Sequence, residues 1–333
     1  MKEIEKNKIY LVTGAAGFIG FFLSRLLLEQ GATVIGFDNI NDYYEISLKE
    51  ERLKILLAYK TFSFIKGDLA KQEEINCVFE QYHPNIVVNL AAQAGVRYSI
   101  ENPKAYMDSN VMGFFHILEA CRKYPVDHLV FASSSSVYGE NDKIPFSVED
   151  KVDYPVSLYA ATKKSNELMA HAYSKLYKIP VTGLRFFTVY GPMGRPDMAY
   201  FKFAKKIMAG KEIEIYNNGE MYRDFTYIDD IVTGMCNLLC HPPKKDEKGV
   251  AYRIYNIGNN QPEKLMDFVS VLEKALGREA KKVFLPMQSG DVPRTYADVD
   301  DLIRDFDFKP STTIEEGLEV FAKWFKEYYK DVI

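Results

Sequence analysis

Residues 9–20 read Ile-Tyr-Leu-Val-Thr-Gly-Ala-Ala-Gly-Phe-Ile-Gly. A short β-branched run ends at Thr13, glycines follow at 14, 17 and 20, and an apolar stretch with the pattern of a helix continues to Gln30. A strand, a glycine turn and a helix start make a seat for a pyrophosphate, because the free N–H groups and the positive end of the helix dipole face the anion. Gly14 allows the tight turn, Gly17 lets the backbone approach the phosphates, and Gly20 lets helix and strand pack closely. Phe18 and Ile19 fall in the same turn. Asp38 ends the next strand, 18 residues past Gly20, where a carboxylate accepts from ribose hydroxyls. Asn39-Ile40-Asn41 supplies no cation for a 2′-phosphate, which predicts NAD as cofactor in preference to NADP.

Outward from this turn the pattern repeats. Strand-like runs at Thr33–Phe37, Ser63–Lys66, Ile86–Asn89, Leu129–Ala132 and Val181–Phe187 alternate with helical stretches at Ser47–Tyr59, Gln72–Tyr82, Ala105–Arg122 and Ser157–Tyr177. The strands are continuously apolar, as in a sheet buried on both faces, and the alternation predicts a Rossmann-type doubly wound parallel sheet. After Gly191-Pro192 the pattern loosens, with more Pro, Gly and charge. A nucleotide-binding domain over 1–187 and a smaller α/β substrate domain over 188–333 are expected, interleaved because a segment near 225–260 returns to the first.

Composition narrows the class. The chain has 333 residues, 47% hydrophobic and 26% charged, with a net charge of −4. That is ample material for a buried core, and the acidic balance argues against nucleic acid as a partner. An anionic ligand must then be held by a few placed cations. Four cysteines at 77, 121, 236 and 240 form no CxxC pair and no cluster with histidine, so reduced thiols and no metal are expected. Residues 9–24 carry no charge and follow three lysines, which mimics a signal peptide, yet 16 residues fall short of the roughly 20 that span a bilayer. A soluble, cytoplasmic enzyme is expected, with no membrane partner.

Tyr159-Ala-Ala-Thr-Lys163 places a phenol and an ammonium on one helix face, where the cation can lower the pKa of the phenol. Such a pair is common by chance; its position after Ser133-Ser134-Ser135-Ser136-Val137-Tyr138-Gly139 raises it. With the spacing G-x-x-G-x-x-G, these motifs resemble the short-chain dehydrogenase/reductase superfamily. Gly67-Asp68-Leu69 resembles its adenine-contacting turn, and Asn89-Leu90-Ala91-Ala92 its stretch past the nicotinamide ribose. The resemblance carries over to Asn110 and Phe186 as further cofactor contacts.

A serine three residues before V-Y-G, here Ser134, is similar to the extended branch, the nucleotide-sugar epimerases and dehydratases. The resemblance implies Tyr159, Lys163 and Ser134 as the catalytic set. Relatives that decarboxylate or dehydrate place acidic residues in the next two positions to move a further proton. Here these are Ser135 and Ser136, which favours an epimerase. Arg223-Asp-Phe-Thr-Tyr-Ile-Asp-Asp230 and Gly290-Asp-Val-Pro-Arg294 resemble stretches that hold the nucleotide diphosphate, and two guanidiniums suit a pyrophosphate. Galactose epimerases carry Arg where Gln288 stands, so Arg294 is expected to supply the second cation. Three stretches, Asp38–Lys49, Gln93–Ser99 and Arg185–Ala199, resemble the UDP-glucuronate 4-epimerases.

A 4-keto glucuronate loses CO₂ when its carboxylate bond aligns with the carbonyl π system, so an epimerase must hold the carboxylate out of alignment. Ser135, Ser136, Thr188, Arg195 and Arg97 are the candidate anchors. The resemblance implies a UDP-sugar substrate, tightly held NAD, and a homodimer built as a four-helix bundle from the stretches at 105–122 and 157–177. Decarboxylase, dehydratase, UDP-hexose or UDP-N-acetylhexosamine epimerase, net dehydrogenase and inactive scaffold are the competing readings. None of the five histidines is assigned a catalytic role, and His128 opens a strand.

Overall fold

The computed structural model describes residues 4–288, 292–307 and 309–330. Among these, the strands in chain order are β1 (Ile9–Thr13), β2 (Thr33–Asp38), β3 (Phe62–Lys66), β4 (Ile86–Asn89), β5 (His128–Ser134), β6 (Val181–Phe186), β7 (Thr188–Tyr190), β8 (Glu212–Ile215), β9 (Tyr222–Tyr227), β10 (Tyr252–Ile257), β11 (Pro262–Lys264) and β12 (Lys281–Phe284). Seven of them form a parallel sheet in the order β10-β6-β5-β4-β1-β2-β3.

The continuous apolar runs have a direct structural reading. Successive side chains in a strand face opposite ways. Tyr10, Val12, Val34, Val88, Val130 and Leu184 enter a core beneath helices 18–29, 46–57 and 228–239. Leu11, Ile35, Phe37, Val87, Leu129 and Phe131 enter a second core beneath helices 72–82, 113–123 and 158–177. Both faces are covered, so the central strands β1, β2 and β4 show no polar alternation.

The strand order reverses between β1 and β4, and the crevice outside their carboxyl ends is where such sheets bind ligands. Thr13 ties this point together: its hydroxyl donates to Asn89 Oδ1 at 2.7 Å and accepts from the Ala91 N–H at 3.2 Å.

Beyond residue 187 the chain builds a three-stranded sheet, β11-β9-β7, and a two-stranded one, β12-β8. An aromatic cluster of Tyr190, Tyr200, Phe201, Phe225, Phe268, Phe321 and Phe325 packs helices 199–208, 265–276 and 314–328 against it. The chain returns to the large sheet through helix 228–239, which packs on helix 18–29, and through β10, which pairs with β6.

One expected element differs. The stretch 105–122 is not a single α-helix: Pro103–Tyr106 is followed by a π-helical turn, Met107–Met112, and then by Gly113–Lys123. The wider turn directs Asn110 inward, where it is 1% exposed and bonded to the Gln93 backbone.

Candidate active site

A cleft of about 690 Å³ runs along the carboxyl ends of the strands and under the smaller sheets. Its floor is the glycine turn. A Cβ on Gly14 would lie 2.8 Å from the Ala91 nitrogen, and one on Gly17 2.9 Å from the Gly14 carbonyl oxygen. A Cβ on Gly20 would meet the same carbonyl, so the backbone here has room only for glycine and for a ligand lying on top. Phe18, Ile19, Asp38, Asn39, Asp68, Leu69, Leu90, Ala91, Ala92 and Phe186 also line the cleft. These residues fit a dinucleotide: the Asp38 carboxylate sits at the end of β2, accepting from the Ala16 N–H at 3.1 Å and the Ile40 N–H at 2.8 Å.

Asn110 is placed differently from expectation. It lies outside the cleft lining, with its amide spent on Gln93 and on Thr162 Oγ1 at 3.1 Å. It therefore positions the helix that carries Tyr159.

That helix begins at its cap: the Ser157 hydroxyl accepts from the Ala160 N–H at 3.1 Å. Tyr159 stands in the first turn, where the helix dipole favours negative charge. Burial pushes its phenol above the usual tyrosine value, while a hydrogen bond with Ser134 and the Arg195 charge pull it down. Lys163 is 3% exposed, with Nζ 6.0 Å from the centre of the Tyr159 ring and donating to the Ala132 carbonyl at 2.7 Å. Burial and the Arg195 charge push its ammonium down to about 8. The sequence leads one to expect Lys163, joined by the charge of a bound nicotinamide, to acidify Tyr159; in the structure the cation that lowers the phenol is Arg195, on the loop after β7, while Lys163 Nζ is turned to the Ala132 carbonyl.

Ser134 ends β5, and its hydroxyl donates to Ser136 Oγ at 3.2 Å. Ser135, Ser136, Thr188 and Arg195 line the same cleft as the largely buried Tyr159. Arg195 is held by Asp197 through both carboxylate oxygens, at 3.1 and 2.5 Å. Arg97 is exposed at the cleft margin with its guanidinium 5.2 Å from the centre of the Tyr216 ring. Arg223 lines the cleft, and its Nη1 donates to the carbonyls of Tyr222 and Pro293. Arg294 is exposed, stacked 4.7 Å over Tyr222, and is not among the lining residues. Gly290 and Asp291 of the same loop lie outside the described residues.

Several residues in or beneath the site escaped the sequence reading. Lys49 lines the cleft and donates to the Asn41 carbonyl and side chain, both at 2.7 Å, bringing a cation beside Asp38 from helix 46–57. Arg52 is fully buried, and its guanidinium donates to the carbonyls of Ala16, Met193 and Gly194 and to Tyr44 Oη. A signal existed: both cations share a helix face with Leu48, Leu53 and Leu56, where a solvated charge would not stand. Glu167 extends the Tyr159–Lys163 stripe by one turn and pairs with Arg185 at 2.8 and 2.9 Å, both 3% exposed. Among the described residues no group of His, Cys, Asp and Glu is arranged to hold a metal, and no helix is long and apolar enough to cross a membrane.

Residues 10–258 match the model of the NAD dependent epimerase/dehydratase family. The protein CapI of Staphylococcus aureus is 56% identical over 96% of this chain and 99% of its own length. A probable UDP-glucuronate 4-epimerase of Rhizobium meliloti is 48% identical over 96% and 98%. The crystal structure of UDP-glucuronic acid 4-epimerase from Bacillus cereus, in complex with UDP-glucuronic acid and NAD, superposes with a TM-score of 0.88 at 35% identity, covering 96% of this chain and all of that one. A sheet wound around a glycine turn, a Tyr–Lys helix beneath it and similarity of this extent place the chain in the NAD dependent epimerase/dehydratase family.

Proposed function

We propose that the protein interconverts UDP-glucuronate and UDP-galacturonate by inverting C4 of the sugar, through a 4-keto intermediate. The observation that carries this reading is the pocket around Tyr159. Its proton-moving groups, Tyr159 and Ser134, adjoin hydroxyls and a guanidinium suited to a carboxylate, and positions 135 and 136 hold serines. Bound NAD supplies reversible hydride acceptance at C4.

The residues do the rest. Tyr159 takes the proton from the O4 hydroxyl and returns it after the ring has turned about its bond to the diphosphate. Ser134 hydrogen-bonds the same oxygen, and Lys163 and Arg195 favour the phenolate. Ser135, Ser136 and Thr188 hold the carboxylate away from the C4 carbonyl π system, with Arg195 beside them. Arg223, which lines the cleft, is read as the cation that fixes the diphosphate while the sugar moves, and Arg97, at the cleft margin, as a further candidate for the carboxylate. The Arg195–Asp197 pair favours a second reading, a UDP-hexose 4-epimerase, because it leaves that pocket with little net charge.

We further read the chain as two interleaved parts, a nucleotide-binding unit over 1–187 with the returning segment and a substrate unit over the remainder. The protein is assigned to the cytoplasm as a homodimer that supplies an activated hexuronate for polysaccharide synthesis.

The test is direct. Purified protein, without added NAD, is incubated separately with UDP-glucuronate, UDP-glucose and UDP-N-acetylglucosamine, and products are followed by proton NMR. UDP-galacturonate from the first substrate alone is expected. A pentose product would show a decarboxylase, and turnover of only the neutral sugars would leave the second reading. Tyr159→Phe is expected to lose about 10²–10⁴-fold in turnover while NAD stays bound. Combined Thr188→Val and Arg195→Met is expected to raise CO₂ release relative to epimer; an unchanged ratio would remove these anchors from the mechanism.

A further inference from the structure

Arg195 faces the catalytic phenol with its charge already engaged. Its Nε and Nη2 donate to the two oxygens of Asp197 at 3.1 and 2.5 Å, and Tyr43 Oη donates to Oδ2 at 3.2 Å from the other side. The two side chains of the ion pair are 25% and 19% exposed, so solvent screens them only in part. Tyr43 is fixed in turn: its ring lies 4.8 Å from that of Tyr98, and its hydroxyl sits against Gly95, a close approach at a positive φ of 104°. Asp197 is thus held by two different segments of the cleft wall.

We infer that Asp197 is a specificity-determining positioning residue, which engages and neutralises Arg195 so that the cleft grips a sugar carboxylate weakly enough for the ring to turn. The inference rests on the epimerase reading. A lone guanidinium in a half-buried pocket binds a carboxylate through two charge-assisted bonds. Such a grip favours one orientation of the sugar, whereas epimerisation requires both faces of C4 to be presented. With Asp197 in place, an incoming carboxylate must share or displace an existing partner, and the contact is weakened.

The same pair acts on the phenol. Tyr159 is faced by Lys163 on its own helix, Ser134 on β5, Tyr106 with ring centres 6.0 Å apart, and Arg195 with Asp197 on the loop after β7; Tyr43 and Tyr98 stand behind them. Arg195 pulls the phenol toward ionisation and Asp197 opposes it. Removing the Asp197 charge makes Tyr159 the stronger acid, so the acidic limb of the rate profile moves to lower pH.

The experiment uses the NAD-loaded protein. For Asp197→Asn, the KM for UDP-glucuronate is expected to fall about tenfold, the effect of one more charge-assisted contact, with kcat falling as well. The inhibition constant of UDP-glucose, which has no carboxylate, is expected to stay within about twofold, well below a tenfold contact, and the acidic limb of kcat/KM to move down by about one pH unit. Asp197→Ser, neutral and smaller, is expected to move the limb the same way. Equal changes for both ligands, or an unmoved limb in a folded neutral variant, overturn the inference. The wild type gives an independent check: it is expected to bind UDP-glucuronate within about tenfold of UDP-glucose, and a preference above about a hundredfold overturns the inference too. Failure of the wild type to form any epimer would instead remove the function on which the inference rests.

Discussion

Glu167 shows how a single residue holds the chemistry in place without touching it. It follows Tyr159 and Lys163 at successive turns of one helix face, and its carboxylate meets Arg185 on β6 and the Ser133 hydroxyl on β5. Arg185 also donates to Tyr138 Oη, which donates to Asn256 on β10. The pair is buried, so removing one member leaves the other without compensation. Glu167→Ala is expected to cost about 3–5 kcal/mol, read as a fall in the denaturant midpoint with an unchanged slope. His128 supplies a second test at this scale. Buried between the Leu239 carbonyl and Thr182 Oγ1, it is pushed down to about 4 from 6.5 by desolvation. The unfolded chain therefore binds the extra proton between these values, and the stability His128 contributes is complete above pH 6.5 and lost as pH falls toward 4. The loss amounts to about 3 kcal/mol. Melting temperatures of the wild type are expected to drop faster from pH 7 to pH 5 than those of His128→Gln; parallel curves would contradict the assignment.

At the scale of elements, what was legible in the sequence depended on whether a residue's partner was local. Glycine spacing and apolar strands are short-range patterns, so β1, the turn at 14–20, Asp38 and the Tyr159–Lys163 helix were readable residue by residue. Contacts between distant segments were not. Lys49 reaches Asn41 only because helix 46–57 folds back over β2, and Arg52 joins the cofactor turn to the loop at 193–194, which is 141 residues away. The π-helical turn at 107–112 carries no sequence mark of its own, because one wider turn inside a helix leaves the surrounding helical pattern in place. Arg294 matches a family motif in sequence, yet it lies on Tyr222, since nothing local tells where an exposed loop points. The long-range Arg52 contact carries a prediction. Its guanidinium is satisfied by carbonyl and hydroxyl oxygens alone, so Arg52→Met keeps bulk but orphans three buried carbonyls. Each orphaned group costs about 1–3 kcal/mol. The expected result is loss of NAD during gel filtration together with a higher KM for UDP-glucuronate, because the two loops lose their common anchor. Retained NAD with an unchanged KM would show that the loops are fixed by other contacts.

For the whole molecule, the distribution of exposed apolar side chains bears on assembly. Met107 and Met112 on the π-helical turn are each 45% exposed, and Leu168 and Leu176 on helix 158–177 are 61% and 66% exposed. Leu168 and Leu176 are eight residues apart and share a helix face, and the two segments pack on each other. Isolated exposed leucines are ordinary, but this grouping on adjacent helices suits the proposed two-fold bundle. In such an interface each substitution occurs twice, once per copy. Burying a leucine contributes about 2 kcal/mol, so Leu168→Lys with Leu176→Lys removes four such contributions and introduces four charges. Sedimentation velocity is expected to show a dimer for the wild type and a monomer for the double variant, with the circular dichroism spectrum retained. Leu57→Lys, at a position 57% exposed on helix 46–57, tests whether any exposed leucine would do. It is expected to leave the dimer intact. A wild-type monomer, or dissociation by Leu57→Lys as readily as by the paired change, would place the contact elsewhere. Helix 158–177 also carries Tyr159 and Lys163, so the monomeric variant should lose turnover to the extent that the bundle steadies that helix.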